Sequence, residues 1–217
     1  MRHLFATLLG ILLCAAGTPA ESLPNGTIVE QTACEEEPAM TYEQYVRVET
    51  RRHTFEVEAA RLAGLEMTSP LVLLSPEARS RQNDASQVDC QRIKYMSDGL
   101  KVAGFLWKPK DTAGKKLPVL LFNRGGNRDF GKLTPWEGLH RFAASGFVVI
   151  ASQYRGNDGG EGREELGGAD VRDVLNLIPL AASLEYADLR NVFLYGVSRG
   201  GMMTYLALKN GIAVNAA

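Results

Sequence analysis

The sequence predicts an α/β fold, in which helices alternate with the strands of a mostly parallel sheet, and two observations predict it. Three continuous apolar runs are typical of strands that are buried on both faces: 118–122, 147–151 and 192–195. A helical pattern follows each run: 134–146, the stretch that starts at residue 170, and 202–209. Strands that alternate with helices build right-handed crossover units, so these three strands are expected to lie parallel in one sheet.

Two local signals add detail to this sheet. Residues 92–96 and 100–107 are predicted strands, and the Ser-Asp-Gly sequence at 97–99 between them is typical of a hairpin turn. This antiparallel hairpin is expected at one edge of the sheet. The helix after the first buried run is predicted to begin at Thr134, because Glu137 completes a capping box with it.

One motif indicates the chemistry. Residues 196–200, Gly-Val-Ser-Arg-Gly, directly follow the last apolar run and have the G-x-S-x-G pattern of a nucleophile elbow. Gly196 and Gly200 matter because the serine of such a turn is strained and its neighbours approach closely. The sequence therefore predicts the first half of an α/β-hydrolase sheet, with Ser198 as the nucleophile and the C-terminal strands missing.

A serine nucleophile needs two further kinds of group. Oxyanion donors are expected from the backbone N–H of Arg199, at the positive end of a helix, and from the loop at 123–127. A general base is also needed, and this fold places an acid and then a histidine after the serine. Neither partner follows Ser198 in this sequence. We expect both beyond Ala217, and we expect the 217-residue chain alone to be inactive.

The histidines and acids within the chain are predicted to have other roles. His140 lies in the helix between two strands, away from the strand ends, so it is a poor candidate for the base and is predicted to be a helix-surface residue. His53, in the N-terminal segment, is an equally poor candidate. Asp170 and Asp173 lie at the start of a helix, where carboxylates stabilise the helix dipole, and are predicted to be caps. For the Arg199 side chain, an ion pair with an acid, a contact with substrate and a surface position all remain open.

Residues 1–20 are predicted to form a signal peptide. Arg2 is followed by an apolar run at 4–16, and small residues allow cleavage after Ala20 or within 15–17. The apolar run is too short to cross a membrane, so no membrane span is predicted. The protein is expected to be exported, to the periplasm or the medium, after cleavage.

The rest of the chain is divided in two. Residues 21–88 are predicted to be an N-terminal segment, which begins with an exposed, poorly ordered leader at 21–40. A helix that begins with a capping box is predicted over 41–63, although residues 54–58 alternate as in a strand, which leaves a strand open there. A linker with a short helix is predicted at 65–88. Residues 89–217 are predicted to be a partial catalytic domain.

The cysteines and the charge constrain the remaining features. Cys34 and Cys90 remain after cleavage, and both a disulfide and two unpaired thiols are open. A net charge of −1 gives no electrostatic reason to expect a nucleic acid or an anionic membrane as a partner. No cofactor and no metal are expected. The glycine-rich run at 159–162 is predicted to be a flexible loop. A dinucleotide-binding fold fits poorly, because its glycine-rich turn runs straight into a helix, whereas several residues separate the glycines at 125–126 from the next predicted helix.

Several motifs together resemble a known family. They follow one another in the order and at the spacing of prolyl oligopeptidase-type (S9) catalytic domains, and the resemblance covers about residues 90–217. The motifs are the strand pair at 95–106, Asn-Arg-Gly-Gly-Asn at 123–127, Tyr-Arg-Gly at 154–156, Asp-Val-Arg-Asp-Val at 170–174 and Gly-Val-Ser-Arg-Gly-Gly at 196–201.

The resemblance implies a serine peptidase, in which Ser198 is acylated and the Arg199 N–H is an oxyanion donor. Arg124 stands where some members have an oxyanion tyrosine, which makes it the second candidate for the oxyanion hole. Large members carry a β-propeller, for which the roughly 65 residues between signal and core are too few. A peptide or a small ester is the expected substrate. An esterase and an inactive truncated product remain the alternatives, and the oligomeric state is not predicted.

Overall fold

Within the described residues, six strands form one mixed sheet. The computed structural model describes residues 22–35, 40–67, 69–136 and 138–217, so the predicted signal peptide at 1–20 lies outside the described residues. In chain order the strands are β1 (Ile28–Ala33), β2 (Val88–Ser97), β3 (Leu100–Pro109), β4 (Leu117–Asn123), β5 (Val148–Ser152) and β6 (Ala187–Gly196). Their order across the sheet is β1-β2-β3-β5-β4-β6.

The two halves of the sheet differ in strand direction. β1, β2, β3 and β5 pair antiparallel in that order, whereas β4 pairs in parallel with both β5 and β6. The carboxyl ends of the parallel strands therefore meet at one edge, which is where α/β sheets place their sites. This edge, formed by the ends of β4, β5 and β6 at Asn123, Ser152 and Gly196, is the carboxyl edge.

The helices of the described residues connect these strands. They are α1 (Tyr42–Leu62), α2 (Pro76–Asn83), α3 (His140–Ala144), α4 (Val171–Leu175), α5 (Leu177–Ala182) and α6 (Arg199–Lys209). The prediction for 41–63 is confirmed, because α1 begins with the reciprocal capping box of Thr41 and Gln44. None of these helices combines the length and the apolar composition that a membrane span needs.

The predicted hairpin is confirmed as β2 and β3. Asp98 and Gly99 form its turn with left-handed φ angles of 51° and 80°, as a two-residue type I′ turn requires. The hairpin does not lie at the edge of the sheet, because β1 pairs with the outer side of β2.

The prediction of an exposed, poorly ordered leader at 21–40 is wrong for the residues of β1. This strand is hydrogen-bonded to β2, and Cys34 forms a disulfide with Cys90 of β2. Four of its six residues are exposed, since it lies at the outer edge of the sheet. An edge strand that faces water has the polar composition of a loop, so composition did not distinguish the two.

The helix predicted at 134–146 is shorter in the structure, where α3 begins only at His140. The residues before α3 form a turn that is held by tryptophans. The Trp107 indole N–H donates to the Pro135 carbonyl at 2.8 Å, and the Trp136 indole N–H donates to the Glu35 carbonyl at 2.9 Å. Glu137, which the predicted capping box requires, lies outside the described residues.

The glycine-rich segment between β5 and α4 is bonded to the hairpin. The Glu161 N–H donates to the Lys101 carbonyl at 2.7 Å, and the Lys101 N–H donates to the Glu161 carboxylate at 2.8 Å. This segment, residues 153–170, is called the β5–α4 loop. The flexible loop predicted at 159–162 is therefore tied to the body of the molecule.

Two apolar clusters cover the opposite faces of the sheet. β4 contributes to both, because alternate residues of a strand point to opposite faces: Val119 and Leu121 to the first cluster, Leu120 and Phe122 to the second. Residues of α4, α5 and α6 belong to the first cluster, and residues of α3 belong to the second. Helices α3 and α6 therefore lie on opposite faces.

We expect the disulfide to stabilise the fold measurably. Cys34 and Cys90 are 56 residues apart in the sequence, and a crosslink that closes a loop of this size contributes about 2–4 kcal/mol by restricting the unfolded chain. Urea unfolding with and without a reductant measures the loss. The Cys34→Ser/Cys90→Ser variant should unfold at the reduced midpoint and should not respond to reductant. Equal midpoints for the oxidised and the reduced protein would contradict the expectation.

Candidate active site

The turn between β6 and α6 holds Ser198 in a strained backbone conformation. Ser198 has φ 56° and ψ −122°, a region that residues with a side chain rarely adopt. A Cβ at Gly196 would overlap the Gly200 carbonyl oxygen, and a Cβ at Gly200 would overlap the Asn123 carbonyl oxygen. Only glycine fits at both positions. The exposed serine thus stands at the carboxyl edge, with the geometry of a nucleophile elbow.

The backbone of the segment 124–131, which we call the loop after β4, lies against Ser198. A Cβ at Gly125 would lie 3.0 Å from the Val197 carbonyl oxygen and 3.2 Å from the Ser198 Cβ. On the other side of the serine, α6 begins at Arg199, and N–H groups in the first turn of a helix have no acceptor within the helix. Backbone of two elements therefore lies close to Ser198, as an oxyanion site requires.

Arg124 is buried, and its guanidinium holds the loop after β4. Its Nε donates to the Gln153 carbonyl at 3.2 Å. Its other two nitrogens donate, at 3.1–3.4 Å, to carbonyls of the loop itself: those of Gly125, Arg128 and Phe130. All three nitrogens are engaged, so the structure does not present this side chain to Ser198 as the predicted oxyanion donor. The part of this loop that lies next to Ser198 is the backbone at Gly125.

The Arg199 side chain is also buried. It forms ion pairs with Glu164 and with Asp170, the latter at 2.7 Å, and donates to the Gly126 carbonyl at 3.0 Å. Its guanidinium carbon lies 4.8 Å from the centroid of the Tyr154 ring. Of the roles that the sequence left open, the ion pair with an acid is the one observed, and a surface position is wrong.

Glu164 connects the two arginines. Its Oε1 pairs with Arg199 and lies 3.6 Å from Nη2 of Arg124, and its Oε2 accepts the Arg128 N–H at 2.9 Å. Burial raises the pKa of this carboxyl, but the bonds from Arg199 and Arg128 and the charges of both arginines outweigh burial and hold the pKa below its usual range. Sequence analysis missed Glu164, since a single acid in a loop gives no periodic signal.

The two acids predicted as helix caps have other partners. The Asp170 side chain makes no capping bond to α4 and instead pairs with Arg199. Asp173 accepts from the Ser97 hydroxyl at 2.6 Å and from the Arg155 guanidinium at 2.8 Å. Burial raises the pKa of Asp173 against the opposing effect of these two partners. Asp170 occupies the N-cap position and Asp173 the first turn of α4, as predicted, but the Asp170 side chain makes no capping bond, and both acids anchor the β5–α4 loop.

The histidines of the described chain lie elsewhere. The predicted surface position is wrong for His140, which is 2% exposed and packs against Trp136 with ring centroids 5.9 Å apart. It belongs to α3, on the face opposite α6. His53 lies in α1. In the described part of the chain, neither histidine is hydrogen-bonded to Ser198.

A cleft of about 840 Å³ opens between the loop after β4 and the β5–α4 loop. It is lined by Arg128, Asp129 and residues 156–158 and 162–166. Ser198 does not line it, but Glu164 does, and the Glu164 carboxylate pairs with Arg199 directly after the nucleophile. Glu164 therefore lies between the cleft and the elbow.

Comparison with known proteins gives one family and several relatives. Residues 98–216 match the model of the family described as X-Pro dipeptidyl-peptidase (S15 family). The uncharacterized peptidase YtmA of Bacillus subtilis (strain 168) is 35% identical over 130 residues, which are 60% of this chain and 49% of YtmA. Dipeptidyl peptidase 8 of Mus musculus is 32% identical over 124 residues, which are 51% of this chain and 14% of that protein. The crystal structure of hypothetical protein PA2218 from Pseudomonas aeruginosa matches with a TM-score of 0.54 and 18% identity, over 60% of this chain and 42% of that one.

Two points follow from these comparisons. The chain spans about half the length of YtmA and a smaller part of dipeptidyl peptidase 8. The α/β-hydrolase fold is confirmed, whereas membership of the prolyl oligopeptidase family is not, because the family model that matches is that of a related α/β-hydrolase family.

We expect a methyl group at position 125 to slow the reaction of Ser198 with a fluorophosphonate. In Gly125→Ala the new Cβ would press on the Val197 carbonyl and on the Ser198 Cβ, which displaces the loop backbone from the oxyanion position. Losing one oxyanion donor costs about 10²–10³ in rate, so a displaced donor should cost at least about tenfold. The measurement is the rate at which a fluorophosphonate labels Ser198.

Gly201→Ala is the matched control, because a Cβ there meets no atom within 4 Å and the residue lies in α6. It should label at the wild-type rate. If Gly125→Ala is labelled at the wild-type rate, the backbone at Gly125 does not stabilise the oxyanion.

Proposed function

The chain belongs to the X-Pro dipeptidyl-peptidase (S15) family, and on this premise we propose that the full-length protein is an exported serine peptidase that cleaves peptide amide bonds through an acyl-enzyme on Ser198. The fold and the family support a serine hydrolase. The strained elbow at Ser198 is the observation that carries covalent catalysis in this proposal. The amide substrate is supported by the descriptions of the family and of YtmA as peptidases.

In this mechanism the Ser198 Oγ attacks the carbonyl carbon of the scissile bond and its proton passes to a general base. The carbonyl oxygen becomes an oxyanion, which the Arg199 N–H and the loop backbone at Gly125 would stabilise. Collapse of the tetrahedral intermediate breaks the C–N bond, and the amine leaves with the proton from the base. Water then hydrolyses the ester on Ser198 by the same steps in reverse order.

The general base is proposed to be a histidine beyond Ala217, oriented by an acid that also lies there. This proposal is supported by the positions of His53 and His140, neither of which is bonded to Ser198, and by the 49% share of YtmA that the chain covers. The 217-residue chain alone is then expected to lack activity, because a serine hydroxyl without a base is a weak nucleophile.

Labelling with a fluorophosphonate tests the nucleophile. In the full-length protein the probe should label Ser198, identified by mass spectrometry of the peptide, and Ser198→Ala should abolish both labelling and turnover. The 217-residue chain should label far more slowly. Labelling at another residue, or none in a folded full-length protein, would refute the proposal.

The same variants identify the substrate class. Anilides of X-Pro dipeptides and of other short peptides, compared with short-chain esters, should show Ser198-dependent amide cleavage. Turnover of esters without any amide cleavage would favour an esterase of the same fold over a peptidase.

Export is proposed from two features. Residues 1–20 have the composition of a signal peptide, and the Cys34–Cys90 disulfide is of a kind that persists in oxidising compartments. In the native source we expect a mature protein that begins at Glu21, lies outside the cytoplasm and does not react with a thiol reagent until it is reduced. An uncleaved cytoplasmic protein with two reactive thiols would contradict export.

A further inference from the structure

We propose that Glu164 is a positioning residue that holds both sides of the oxyanion site, and that Arg124 serves the site through Glu164 and the loop backbone instead of donating to the oxyanion itself. The inference rests on the proposed function of Ser198. It identifies a residue that neither the elbow motif nor the oxyanion loop motif contains.

The first side of the site is the loop after β4. Glu164 Oε2 accepts the Arg128 N–H at 2.9 Å, which ties this loop to the β5–α4 loop three residues after Gly125. Its Oε1 lies 3.6 Å from Arg124, whose guanidinium holds three carbonyls of the loop, that of Gly125 among them. The backbone at Gly125, which lies against Ser198, is thus held on both sides of it in the chain, at Arg124 and at Arg128.

The second side is the start of α6. Arg199 supplies the N–H that directly follows Ser198, and its side chain pairs with the Glu164 carboxylate. The same guanidinium donates to the Gly126 carbonyl at 3.0 Å, which joins the second side to the first. One carboxylate therefore bonds to both elements that would hold the oxyanion.

The charges explain why this position needs an acid. In the described part of the chain, Glu164 is the only carboxylate within ion-pair distance of Arg124, whereas Arg199 also has Asp170. The guanidinium carbons of Arg124 and Arg199 lie 5.5 and 4.8 Å from the same ring, that of Tyr154. Two buried cations so close repel each other unless an anion lies between them. Without the charge of Glu164, the two sides of the site should move apart. The fold should persist, because Arg199 keeps its ion pair with Asp170.

The test compares Glu164→Gln with a matched control in the full-length protein. Glu164→Gln keeps the size of the side chain and removes its charge. Asp98→Asn is the control, because Asp98 also bridges two arginines, Arg155 at 3.3 Å and Arg172 at 2.6 Å, but lies in the β2–β3 turn. In this variant Arg155 keeps its ion pair with Asp173 at 2.8 Å, so the β5–α4 loop stays anchored. Each variant is measured for kcat, KM, the fluorophosphonate labelling rate at Ser198 and the thermal midpoint.

We expect Glu164→Gln to lower kcat and the labelling rate together by about tenfold to a hundredfold, as small misplacements of catalytic groups do, with KM changed by less than about twofold. Asp98→Asn should leave kcat within about twofold of the wild-type value. Glu164→Asp, which keeps the charge on a shorter side chain, should lose less than Glu164→Gln, and it provides the comparison if the glutamine variant does not fold.

The outcomes separate this inference from the proposed function. If wild-type full-length protein neither labels at Ser198 nor turns over a substrate, the proposed function fails. If the wild type is active and Glu164→Gln matches Asp98→Asn in kcat, the positioning role is refuted. A raised KM with unchanged kcat would also refute it, because Glu164 would then contact the substrate.

Discussion

Two buried arginines share one carboxylate beneath the carboxyl edge, and the arrangement of loops around the nucleophile depends on that sharing. Removing a guanidinium from water costs several kcal/mol, which only well-placed acceptors can offset. The Arg124 guanidinium donates mainly to backbone carbonyls. The Arg199 guanidinium donates to two carboxylates and to one backbone carbonyl. These acceptors lie on different loops. Satisfying the two cations therefore fixes the loops relative to one another.

The strain at Ser198 is sustained by the packing around it. A non-glycine residue at such a φ costs about 1–3 kcal/mol and persists only where its surroundings leave no alternative. Leu194 of β6 and Met203 of α6 are both buried in the first apolar cluster, so the strand and the helix on either side of the turn cannot rotate to relieve it. The glycines at 196 and 200 then allow the backbone to close without overlap.

The parts of this structure that sequence predicts are those set by local patterns. The apolar run at 118–122 and the G-x-S-x-G motif depend on residues next to one another, and both the strand and the turn lie where they were predicted. Glu164 and Asp170 meet Arg199 across 35 and 29 residues, and no pattern in one sequence encodes such a pairing. β1 was not predicted for a related reason: its partner in the sheet lies more than 50 residues away, and most of its own residues face water.

The glycines of the β5–α4 loop show how composition and geometry differ. Gly156, Gly159, Gly162 and Gly167 all have left-handed φ angles, between 75° and 101°. Glycine is needed there because other residues adopt such angles at a cost, so these positions mark turns and do not imply mobility. Ion pairs hold the loop at two places: Arg155 to Asp173 near the hairpin, and Glu164 to Arg199 near the elbow. A segment that is rich in glycine can thus be a rigid connection between the hairpin and the nucleophile.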